Sequence, residues 1–79
     1  MNRKHIMLKD VEDAKKFVTV ANQCDFDIDV YYNRTIIDAK SILGVLSLDL
    51  TQELTVDYAG STPELESFLD QHARLSGAA

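Results

Sequence analysis

Lys40-Ser41-Ile42-Leu43-Gly44-Val45-Leu46-Ser47-Leu48 is the stretch on which the reading of this chain turns. Ser41 can cap a helix, because its hydroxyl can accept a hydrogen bond from an amide of the first turn. Ile42 to Leu46 then forms little more than one helical turn. Its apolar residues divide between two directions. Ile42 and Val45 can meet a core while Leu43 and Leu46 turn to solvent, where clustered apolar side chains mark a contact surface. The other division, with these leucines in the core, stays open at this point. So short a helix needs a frame, and its flanks supply one.

Upstream, Lys4-His5-Ile6-Met7-Leu8 reads as a short strand with Ile6 and Leu8 toward a core and His5 on the other side. Asp10 then reads as a helix N-cap. Glu12 and Asp13 suit the positive end of the helix dipole. Val11, Ala14, Phe17, Val18 and Ala21 recur at helical spacing, and the helix is expected to end near Gln23. From Asp25 to Tyr32, acidic and apolar residues alternate, as in a half-buried antiparallel strand. Asn33-Arg34 turns the chain into Thr35-Ile36-Ile37-Asp38. A type I′ turn wants positive φ at both central positions, so Arg34 implies a longer loop or a distorted turn.

Downstream, Leu54, Val56 and Tyr58 alternate with Thr55 and Asp57 in a last strand, and Ala59-Gly60-Ser61 breaks it. Thr62-Pro63-Glu64-Leu65 has the make-up of a helix start, and Leu65, Phe68, Leu69 and Leu75 give that helix a buried face. Residues 76–79 are expected to fray. The order β-α-β-β-α-β-α predicts an α+β fold. It is an open-faced sandwich with one four-stranded antiparallel sheet and helices on one side.

Composition narrows the function. Seventy-nine residues make one domain, 1–79, and 46% of them are apolar, which is ordinary for a globular core. Thirteen acidic residues against eight basic give a net charge of −5, which repels nucleic-acid phosphates and anionic lipid. Neither nucleic acid nor membrane is therefore an expected partner. No apolar run approaches the roughly 18–20 residues that cross a bilayer, and no secretion signal is visible. One cysteine, Cys24, makes no internal disulfide, so a cytoplasmic setting is expected. No cofactor or metal is implied.

The segment from Lys40 to Leu48, together with Tyr32-Asn33, resembles HPr, the histidine phosphocarrier family of the bacterial sugar phosphotransferase system. The resemblance runs without gaps from the first helix to Leu48 and implies the open-faced sandwich already read from the pattern. It also implies that Ser41 stands at the family's regulatory, kinase-phosphorylated serine. It implies that Lys40, Ile42, Leu43 and Leu46 belong to a partner-docking patch. The family's phosphoryl-accepting histidine lies in a His-Ala-Arg-Pro run. Counted back from Ser41, that run falls on Asp10-Val11-Glu12-Asp13. Asp10 and Glu12 thus mark a degenerate acceptor position with no imidazole and no arginine. The loop ahead of the helix is also shorter than in the family.

A phosphoryl group at a helix start needs amides and cations around it. Three carboxylates in four residues repel it. Neither His5, within a strand, nor His72, late in the last helix, is placed to substitute; a cationic His72 would suit the negative end of its helix. Phosphorylation of Asp10 itself would need an acidic metal cluster and a lysine such as Lys9 or Lys40, whereas a plain N-cap explains Asp10 without either. Ser41 too is explained as a cap, and a phosphate there would sit beside Lys40. Asp25, Asp27 and Asp29 read as a solvated strand face rather than a calcium site, and Cys24 as a small buried filler.

The expected function is therefore that of a non-enzymatic, protein-binding relative of the phosphocarriers, like the catabolite-repression paralogues that lack the histidine and keep the serine. Its partners would be phosphotransferase-system or carbon-regulatory proteins. A genuine phosphocarrier with a noncanonical acceptor is the alternative. An accessory domain of a larger assembly is a third.

Overall fold

The computed structural model describes residues 1–73. Leu75 and residues 76–79, expected to bury one side of the last helix and to fray, lie outside the described residues. The elements are β1 (Asn2–Ile6), α1 (Val11–Asn22), β2 (Ile28–Tyr32), β3 (Thr35–Asp38), α2 (Ile42–Leu46), β4 (Leu54–Tyr58) and α3 (Pro63–Gln71). The strands form one antiparallel sheet in the order β1-β4-β2-β3. This is the α+β open-faced sandwich that the pattern predicts.

β4 lies inside the sheet and carries its register. Leu54 pairs with Ile6, Val56 lies between Lys4 and Val30, and Tyr58 lies between Asn2 and Ile28. Side chains alternate across a strand, so Leu54, Val56 and Tyr58 share one face, and all three are buried. Against that face α1 places Ala14, Phe17, Val18 and Ala21, and α3 places Leu65, Phe68 and Leu69. The Phe17 and Phe68 rings stack with centroids 5.7 Å apart. Burying each large apolar side chain contributes about 1.5–3 kcal/mol, which makes this layer the main favourable term.

The other face stays open. Arg3 donates from Nε and Nη2 to Asp57 at 2.7 and 2.9 Å, and its guanidinium lies 5.6 Å from the centre of the Tyr31 ring. That paired guanidinium, opposed by partial burial, holds the Asp57 carboxyl below the usual carboxylate range. The pair is exposed on the arginine side and adds little to stability. On the covered side Lys4 bridges Glu66 and Asp70 at 2.8 and 2.6 Å, tying β1 to α3.

Several local expectations are corrected. The first strand is Asn2–Ile6 rather than residues 4–8, because its pairing with β4 stops at Ile6 opposite Leu54. Leu8 is buried nonetheless, from the connection into α1. The second strand begins at Ile28, not Asp25, because its partner β4 ends at Tyr58 opposite Ile28. Asp25 and Asp27 therefore leave the sheet and form no carboxylate row with Asp29. Phe26 instead leans over Gly60, so closely that a Cβ there would lie 2.6 Å from its ring. The hairpin keeps a two-residue turn rather than a longer loop. Of its two central residues only Asn33 takes positive φ, at 55°, so the turn departs from type I′ as Arg34 implies. Val11, expected on the buried face of α1, is 48% exposed.

α2 lies against β3 through Gly44, where a Cβ would come within 2.5 Å of Ile37 Cγ2. Gly44→Ala is thus expected to destabilise the protein. The helix propensity gained is about 1 kcal/mol, while overpacking against a stiff β-branched side chain costs about 1–3 kcal/mol. A lower urea midpoint with an unchanged slope would show it.

Candidate functional site

The start of α1 is built from its own carboxylates. Asp10 is extended, with φ −160°, and its Oδ1 accepts from the Asp13 amide at 3.0 Å, as an N-cap should. Asp13 turns back and accepts from the Lys9 amide through Oδ2 at 2.9 Å. Glu12 points outward and pairs with Lys15 at 3.4 Å. The sequence carries histidine only at 5 and 72, so none lies on α1.

The opposite wall comes from α3. His72 caps its C-terminal end and stacks on Phe68, with ring centroids 4.2 Å apart. His72 Nδ1 lies 2.9 Å from the Phe68 carbonyl oxygen, and Nε2 lies 3.5 Å from Asp13 Oδ1. Both side chains are mostly covered, at 13% and 17% exposure. The Asp13 carboxyl is held below its ordinary range. The Lys9 amide contributes most, and His72 and Lys16 add to it against the cost of partial burial. His72 thus stands where its helix dipole favours a cation, as expected, but its contact with Asp13 was missed. Spacing along the chain carries no signal for it, because the contact depends on α1 and α3 meeting across the sheet.

The second candidate region is α2. Ser41 Oγ accepts from the Gly44 amide at 3.2 Å, and the residue is exposed. Leu43 is 81% exposed and Leu46 37%, while Val45 is fully buried and Ile42 only partly so. Lys40 does not reach toward Ser41. Its Nζ donates to the Cys24 carbonyl at 2.9 Å, and its own carbonyl accepts from Asn22 Nδ2 at 3.1 Å. Lys40 therefore tethers the entry of α2 to the end of α1.

The remaining candidates stay apart. Cys24 is buried, with its thiol 3.4 Å from the Val20 carbonyl and no histidine beside it. His5 is exposed on the open face near Thr55 and Glu53. Among the described residues, no group of three or more histidine, cysteine or acidic side chains is arranged to hold a metal ion. None of the described helices is long and apolar enough to cross a membrane.

Known proteins share this fold. A protein-family model described as the PTS HPr component phosphorylation site matches residues 11–76. The fold is similar to the crystal structure of HPr-C-His from Thermoanaerobacter tengcongensis. The identity is 25%, the TM-score is 0.73, and the match covers 90% of this chain and 89% of that one. It is also similar to the crystal structure of a phosphocarrier protein HPr from Bacillus anthracis str. Ames. Here the identity is 25%, the TM-score is 0.66, and coverage is 91% and 92%. No curated protein sequence matches significantly.

Two outcomes follow from the helix start. Asp10→Ala is expected to cost about 0.5–2 kcal/mol through loss of the cap, measured by chemical denaturation. For Asp13 the depressed carboxyl gives the sign. Its contribution is present above the unfolded-state value, about 3.9, and is lost as pH falls through the lower folded value. The stability gap between wild type and Asp13→Asn should therefore narrow on acidification from about pH 6 to about pH 3.

Proposed function

This chain belongs to the HPr family of the sugar phosphotransferase system, and from that premise we propose that it is a non-catalytic, protein-binding member that has given up phosphoryl transfer. One observation carries the reading: the start of α1 holds carboxylates in place of an imidazole. Asp10 and Asp13 occupy amides there, and Glu12 is turned to solvent. An incoming phosphoryl group would meet negative charge instead of a nucleophile and a guanidinium.

What remains is a surface. Leu43 stands out from α2 with Leu46 and the exposed edge of Ile42 beside it, and Ser41 borders them. A protruding apolar side chain of this kind can anchor a protein partner. The partner class that fits the family is a phosphotransferase-system or carbon-regulatory protein in the cytoplasm. Nucleic acid and membrane suit the acidic chain poorly. Ser41 is the candidate regulatory phosphorylation site, because its hydroxyl is exposed at the border of the patch. Lys40 would support such a phosphate only after leaving the Cys24 carbonyl, so its part in docking is that of a tether.

A second reading, a phosphocarrier with a noncanonical acceptor, draws on His72, which lies beside the start of α1. Its ring is stacked on Phe68, and both nitrogens face oxygen acceptors. No nitrogen is left presented to a phosphoryl donor, so we favour the binding module.

Leu43→Asp tests this reading. At 81% exposure the new charge stays hydrated, so the circular dichroism melt should be almost unchanged. Capture of partner proteins from the native cytosol should be lost, since a central apolar anchor contributes roughly 2 kcal/mol or more. Undiminished capture by the variant would remove the patch from the account.

A further inference from the structure

We propose that His72 is a proton-operated clasp between the C-terminal end of α3 and the first turn of α1. It goes beyond the reading of the α2 patch and stands independently of it.

The argument starts from the count of donors. Both ring nitrogens face oxygens that only accept: the Phe68 carbonyl at Nδ1, 2.9 Å away, and the Asp13 carboxylate at Nε2, 3.5 Å away. A neutral imidazole has one N–H and serves one of them. The imidazolium has two and serves both. When the ring carries one proton, a bare nitrogen lone pair faces either a carbonyl or a carboxylate oxygen. The contact is mostly shielded from solvent, so water cannot fully replace the lost donor.

The surroundings reinforce this. On α3, His72 sits at the helix end, where the negative end of the helix dipole favours a cation. On α1, Asp13 is the facing charge. Lys16 acts on that carboxylate from the same helix, and the Lys9 amide holds its second oxygen. Asp10 and Glu12 are engaged elsewhere, with the Asp13 amide and with Lys15. From the connection after β1, the Met7 amide donates to the His72 carbonyl at 2.9 Å, so the residue's backbone is fixed while its ring changes charge. Phe68 fixes the ring plane by stacking. The clasp therefore joins three segments that meet only through the fold, and the proton sets how firmly the first turn of α1 is held.

His72→Phe is the direct test, because it keeps a ring for Phe68 and removes both donors. The melting temperature of wild type should exceed that of His72→Phe by several degrees at about pH 5.5, and the difference should shrink by half or more at about pH 8.5. In an Asp13→Asn background, substituting His72 should produce a much smaller pH-dependent difference. Should His72→Phe fail to fold, ring resonances of His72 provide the second readout. They should shift on Asp13→Asn substitution at about pH 5.5 and shift much less at about pH 8.5. A wild-type advantage that is equal at both pH values, or ring signals that respond equally to Asp13→Asn at both, would overturn the proposal.

Discussion

The structure depends on β4 being held on both sides. Its pairing with β1 and β2 fixes Leu54, Val56 and Tyr58 on one face, and a slip of one residue would turn all three to solvent. Every helix takes its position from that face. α1 and α3 cover it with stacked Phe17 and Phe68, and α2 is seated at the margin through Gly44 on Ile37. Apolar area sets this arrangement, while the ion pairs at its rim, such as Arg3 with Asp57, adjust it by little.

Once α1 and α3 lie side by side, the start of one meets the end of the other. Opposite dipole ends face each other there, and the side chains follow that order: Asp10 and Asp13 at the positive end, His72 at the negative. The same juxtaposition determines what chemistry the position can support. A helix start is an anion site by nature, and in this chain two of its nearby amides are occupied by carboxylates of the protein itself. The family's fold is kept, and the start of α1 carries its own carboxylates on these amides.

Much of this was legible in the sequence because it is local. The caps at Asp10, Ser41 and Thr62 each follow from a side chain and an amide three residues on. The alternation from Leu54 to Tyr58 and the spacing of Phe17 and Phe68's helices gave the buried layer. Strand ends were less legible, because Ile6 and Ile28 are set by where β4 begins and ends rather than by their own neighbours. At the candidate site, the exposure of Leu43 was one of two readings open in the sequence. The turning of Lys40 to the Cys24 carbonyl and the meeting of Asp13 with His72 had no local signal. Both are tertiary contacts between groups whose nearest sequence neighbours suggest other partners, Ser41 for Lys40 and the dipole alone for His72.

The central claim is that the start of α1 no longer accepts a phosphoryl group. The direct measurement is intact-mass spectrometry after incubation with phosphoenolpyruvate and the general phosphotransferase enzyme that charges HPr, with an authentic HPr in parallel. The account predicts an unmodified mass for this chain while the control is converted. A stoichiometric, acid-labile phosphoryl adduct on this chain would contradict it.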